Sequence, residues 1–153
     1  MRDDAASIVN ALVRSHADKL KLLDLLLLSD SDKLHYGKSG NMEKVIELIG
    51  SDTAIIESIN GIDFDIAGAE SSLAALIGVR PADLYETLRG SGEAGELLAV
   101  RIRELELKGK LLGKHAEVEA MLQAASGELQ NSIDDLSRLR RLIEAGGDGR
   151  PGN

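Results

Sequence analysis

Between Glu96 and Ala145 no proline interrupts the chain, and leucines recur every seven residues. Leu98, Leu105 and Leu112 form one set with Ile102 and Ala116 interleaved; Leu122, Leu129, Leu136 and Ile143 form a second. Apolar residues at that period share one stripe of a helix, and the stripe has to be covered by other helices. The register slips between Leu112 and Leu122, which predicts either local overwinding of a coiled coil or a change of partner there, with Gly109, Gly113 and Gly127 as points of local weakness. Unbroken, a helix over 96–145 would be about 75 Å long at about 1.5 Å per residue. The expected fold is therefore all-α: an elongated antiparallel helical bundle or hairpin with a long coiled-coil-like C-terminal helix. Glu104 with Lys108 and Glu106 with Lys110 stand in the favourable i, i+4 order and are expected on its outer face.

The preceding segments carry the same period. Ile8, Val9, Leu12, Val13, Leu20, Leu23, Leu26 and Leu27 predict a helix over 4–32. Gly37 and Gly40 then predict a reversal, and Asn41 can cap the helix that follows. Val45, Ile49, Ile56, Ile59, Ile66, Leu73 and Ile77 predict a second helix over 41–78, with Asp52, Asp63 and Glu70 at intervening seam positions. Gly50, Gly61 and Gly68 would each cost about 1 kcal/mol relative to Ala and are places for a bend. Pro81 suits the first position of a short helix over 81–89, closed by Gly90 and Gly92. The expected organisation is one helical domain over 1–145 and a flexible tail over 146–153, whose glycines and lone proline have nothing to bury.

Composition narrows what such a bundle can do. A net charge of -8, with lysines and arginines alternating with acids, argues against a phosphate backbone as partner. No cysteine is present, so neither a disulfide framework nor thiolate chemistry is available. The N-terminus begins Met-Arg-Asp-Asp and lacks a signal-peptide pattern. The most apolar run, Leu22 to Leu28, contains Asp24 and is far shorter than the roughly 20 residues that cross a bilayer. A cytoplasmic protein without membrane insertion is expected.

Catalytic and metal patterns are absent. Gly37-Lys38-Ser39 ends like a phosphate-binding loop, but Asp32 stands where that loop needs its first glycine. Asp30 and Asp32 lack the next oxygen ligand and the glycine of a calcium loop, and read as solvated acids in a turn. A di-iron bundle needs Glu-x-x-His, whereas Val13, Asp32 and Leu112 stand three before His16, His35 and His115. His16 and His115 are expected at a seam edge or on the surface. No enzyme activity, cofactor or metal is predicted.

The leucine ladder remains. It can pack against the chain's own helices, or part of it can await a partner helix laid along it.

Two amphipathic helices, a short proline-initiated link and one very long last helix resemble the FlgN-like flagellar export chaperones over about residues 5–145. The soft patterns that carry the resemblance are Leu34 through Ile49, Asp52-Thr53-Ala54-Ile55-Ile56-Glu57-Ser58-Ile59, and Gly109-Lys110-Leu111-Leu112. Lys108 and Lys110 stand where the family often has asparagines. The resemblance implies a cytoplasmic chaperone that binds helical C-terminal segments of hook-filament junction proteins and delivers them to export gate components. The expected partner-binding residues are Leu122, Leu129, Ile133, Leu136, Leu139 and Ile143, with Leu111 and Leu112 as a second patch. Such a chaperone is expected to be a monomer or weak homo-oligomer. The alternative is a structural coiled-coil protein that pairs with its own copy and has no secreted client.

Overall fold

The computed structural model describes residues 2–125 and 130–146, the side chains of 130–132 excepted; among them every regular element is helical. Helix α1 spans Asp3–Lys38 and α2 spans Met42–Ile77. A 3-10 turn at Pro81–Asp83 leads into α3, Leu84–Ser91, followed by α4, Gly95–Ala125, and α5, Gln130–Ala145. Among the described residues, no helix is long and apolar enough to cross a membrane.

Helix α1 is the axis of the bundle. Ala5, Val9, Leu12, His16, Lys19, Leu23, Leu26, Asp30 and Lys33 are buried at alternating steps of four and three, one stripe along its length. The helix continues past Asp32 because Lys33 belongs to this stripe, and the reversal falls at Ser39–Asn41. Gly40 supplies the turn at φ 80°, and the Asn41 side chain accepts the Lys44 N–H at 3.2 Å, capping α2. Gly37 lies inside the last turn of α1, where the Met121 side chain of α4 packs against its backbone.

Helix α2 is continuous through Gly50, Gly61 and Gly68, all three of which face open space. It ends at Gly78, φ 76°, where the Val79 N–H reaches the Ala74 carbonyl at 3.0 Å in a Schellman closure. Paired residues such as Ser29 with Asp52 and Lys19 with Asp63 place α2 antiparallel to α1. His16 with Glu104 and Asp30 with His115 place α4 parallel to α1. The backbones of α2 and α4 stay apart on either side of α1, and the furrow between them is covered at one end by α3 and at the other by α5.

The single helix expected over 96–145 is two helices, α4 and α5, running antiparallel. Leu136 packs with Val118 and Leu122, Arg140 pairs with Glu119, and the Gly146 carbonyl meets Lys108. Folding back covers the stripe that a rod of that length would leave in water. The expected register slip is absent as well. Leu97, Val100, Glu104, Lys108, Leu111, His115, Val118 and Leu122 form one unbroken buried stripe on α4. Leu105 and Ile102 lie on the other side of that helix, 52% and 57% exposed. The apparent slip came from joining an outward set of leucines to an inward one.

Candidate functional site

The core is segmented along the bundle axis. Ala5, Val9, Leu12, Ile66, Leu73, Leu84, Leu88, Leu97 and Val100 form an apolar cluster under α3. Leu23, Leu26, Leu111, Leu139 and Ile143 form a second, under α5. Val45, Ile49, Val118, Leu122 and Leu136 form a third at the far end. Buried charged layers separate them.

The layer between the first two clusters gathers His16, Lys19, Asp63, Glu104 and Lys108. His16 Nδ1 lies 3.4 Å from Glu104 Oε1, Lys19 Nζ is 2.6 Å from Asp63 and 3.2 Å from Glu104, and Lys108 Nζ is 3.8 Å from Glu104. Burial alone would raise Glu104, but the hydrogen bond to His16 and the charges of Lys19 and Lys108 outweigh it and bring its carboxyl down to about 2. Burial drives Lys108 down to about 8 against the pull of Glu104, with Lys19 adding repulsion. Burial also acts to lower Lys19, but Glu104 and Asp63 win and hold it above its usual value. At the rim, Tyr85 donates to Glu70, whose carboxyl is raised by burial, and the Arg101 guanidinium carbon sits 3.4 Å above the Tyr85 ring centre.

The second layer lies between the other two clusters. Lys33 donates to Asp30 at 2.9 Å and to Asp52, Ser29 donates to Asp52 at 2.8 Å, and His115 Nδ1 is hydrogen-bonded to Asp30. Asp30 and His115 are both 0% exposed. Asp30 is therefore an internal anion of α1 and not a solvated acid in a turn, and neither His16 nor His115 is a surface residue. Glu104 and Lys108, expected on the outer face of the last helix, are buried too. Among the described residues no cluster of His, Cys, Asp or Glu could hold a metal ion. Each layer joins α1 to α2 and α4 by directional bonds, which favours one alignment of the three helices.

A furrow between α2 and α4 runs over these layers. Its floor is Leu23 and Leu26 of α1, and its walls are Val45, Ile49, Ile56 and Ile59 of α2 with Leu111, Val118 and Leu122 of α4. Helix α5 lies in it. Of the partner-binding residues expected from sequence, Leu111, Leu122, Leu136, Leu139 and Ile143 are buried in this internal packing, and Leu112 and Ile133 are packed against it. Leu129 lies outside the described residues. The ladder is thus brought together, but facing inward as the chain stands.

A cleft open to solvent runs between α5 and α2. It has a volume of about 170 Å³ and separates Ile49, Asp52 and Ile56 from Leu136, Leu139 and Leu142. The last turn of α5 is held by two lysines: the Gly146 carbonyl accepts from Lys108 Nζ at 2.8 Å and Lys19 Nζ at 3.1 Å. Gly146 was expected to open the flexible tail; residues 147–153 of that tail lie outside the described residues. The lysines that hold it escaped the sequence reading, although Lys19, Lys33, Glu104 and Lys108 all fall in the three-four rhythm of their helices.

No protein-family model, curated protein or solved structure matches this chain.

Proposed function

We propose that this chain is a helix-binding protein of the export-chaperone kind, which shelters an amphipathic helix of a secreted client in the furrow between α2 and α4. The observation that supports this reading is the furrow itself. It has an apolar floor and walls, α1 keeps its sides apart, and in the free chain it takes an amphipathic helix laid lengthwise, namely α5. The resemblance to FlgN-like chaperones supplies the client class, helical C-terminal segments of hook-filament junction proteins, and a cytoplasmic place of work. The acidic surface would keep the free chaperone soluble while a sticky client is carried.

A second reading is favoured by a different surface. Leu98, Ile102, Leu105, Gly109, Leu112 and Ala116 follow a four-three rhythm along α4, where Ile102, Leu105, Gly109 and Ala116 are exposed and Leu98 and Leu112 half-buried. A second copy of the chain could pair along that seam and make a structural oligomer.

Size-exclusion chromatography with light scattering separates the two. A monomer that forms a one-to-one complex with hook-junction C-terminal segments from the same genome supports the chaperone. An oligomer that ignores those segments, and dissociates when Ile102→Asp and Leu105→Asp are introduced, supports the structural protein.

A further inference from the structure

Lys19 and Lys108 are unusual residues to bury beneath a furrow. Each comes from a long helix of the three-helix layer, Lys19 from α1 and Lys108 from α4, and they converge on one oxygen, the Gly146 carbonyl. Their counter-charges, Asp63 and Glu104, come from α2 and α4, so the cluster is built without any side chain of α5. Only the main-chain oxygen of Gly146, just beyond α5, takes part. Helix C-terminal carbonyls lack partners within the helix and carry the negative end of its dipole, so two ammonium groups suit them. The approach is close, since a Cβ on Gly146 would stand 2.7 Å from Asp63 Oδ2. Beside it opens a cavity of about 200 Å³ lined by His16, Lys19, Glu70, Arg101, Glu104 and Gly146. His16 Nε2, buried at its edge, has no hydrogen-bond partner among the described residues. Arg101 lines this cavity as a further donor beyond those that hold Gly146.

We propose that Lys19 and Lys108 form a receptor for the C-terminal end of a helix, occupied by α5 in the free chain and by the last turn of a partner's amphipathic helix when α5 is displaced. The inference rests on the helix-binding reading above and adds to it the polarity of the bound helix, the chemistry of its end and the competitor it has to displace. A bound helix lies parallel to α2 with its C terminus toward residues 16–19. Apolar side chains at the spacing of Leu136, Leu139 and Ile143 fill the furrow. A helix ending in a free carboxylate places a full negative charge where the chain now offers only the neutral Gly146 carbonyl, between the two lysines and beside the cavity that Arg101 lines. Occupancy by α5 lowers the apparent affinity for any partner by the fraction of chains in which the furrow is filled.

The test uses the full chain and a fluorescent peptide of residues 130–146 made with either a C-terminal carboxylate or an amide. Leu139→Ala in the chain weakens the built-in competitor without placing a new charge beside the lysines. That variant is expected to bind the peptide about tenfold more tightly than the wild type. The carboxylate form should bind several-fold better than the amide, a preference lost on adding Lys108→Met. The unsubstituted chain must show the same carboxylate preference at higher peptide concentration, so the test survives a variant that folds poorly. Equal binding of carboxylate and amide, insensitive to Lys108→Met, or no saturable binding by either chain, overturns the receptor. If the peptide binds as described but hook-junction segments do not, the receptor stands and the client class falls. If those segments bind with no dependence on Lys108, the helix-binding reading stands and the receptor falls.

Discussion

His115 of α4 and Asp30 of α1 form a fully buried hydrogen-bonded pair, and Asp30 also accepts from Lys33 at 2.9 Å. With Lys33 bridging onward to Asp52, the pair connects all three long helices at one level. Charges in such a layer have been taken out of water and hold their place only as a set.

Removing one member is therefore expected to cost far more than removing the set. Lys33→Met leaves Asp30 and Asp52 buried without their common cation, and a loss of about 3 to 5 kcal/mol is expected from urea unfolding. Replacing Asp30, Lys33, Asp52 and His115 together by apolar residues of similar volume is expected to recover most of that loss. A quadruple variant no more stable than Lys33→Met would show that the layer contributes stability and not mainly alignment.

Acid titrates the other layer. Glu104 is depressed from the ordinary 4.5 to about 2, so the stability it contributes is present above 4.5 and is lost as pH falls toward about 2. About 3 kcal/mol is at stake over that window. Urea unfolding at pH 6 and pH 3 should show wild type losing more stability than Glu104→Gln by about 2 kcal/mol, the part of that window lying above pH 3. Identical losses would contradict the assignment.

Lys108 acts at the alkaline end with the opposite sign. Its folded value of about 8 lies below the ordinary 10.5, so between these values the unfolded chain binds more protons and stability rises with pH. Lys108→Met should flatten this rise and, by sparing the burial of a charge, narrow the gap to wild type at pH 7. A rise that persists in Lys108→Met would assign it elsewhere.

The apolar positions divide by helix. Leu122 is buried in α4 beneath α5, and Leu122→Ala is expected to cost about 2 to 5 kcal/mol of global stability. Phe64, 80% exposed on α2, should tolerate Phe64→Ser within about 0.5 kcal/mol. Thermal melts followed by circular dichroism distinguish these outcomes.

Much of the fold was legible because helix period and caps are local. The apolar stripe of α1, the Asn41 cap and the seam positions of Asp52, Asp63 and Glu70 all follow from spacing. The site was harder to read. On α4 the exposed Leu105 and the half-buried Leu98 and Leu112 outshone an inward stripe interrupted by Glu104, Lys108 and His115, because hydrophobicity marks a buried face only when buried charges are few. Pairing between helices decides where such charges go, and Lys108 declares its partners, Glu104 and Gly146, only in three dimensions. The fold-back of α5 escaped for a related reason: heptads show that a stripe needs a partner and leave open whether it is the same chain.

Exchangeability of α5 is the centre of the account, and hydrogen exchange read by mass spectrometry tests it most directly. In the free chain, amides of residues 133–145 should exchange through an opening that leaves residues 9–33 of α1 protected. Adding a hook-junction helical segment should speed exchange in α5 while deepening protection at residues 45–59 and 111–122. If α5 opens only together with α1, or if a bound segment leaves exchange in α5 and along the furrow walls unchanged, the account is contradicted.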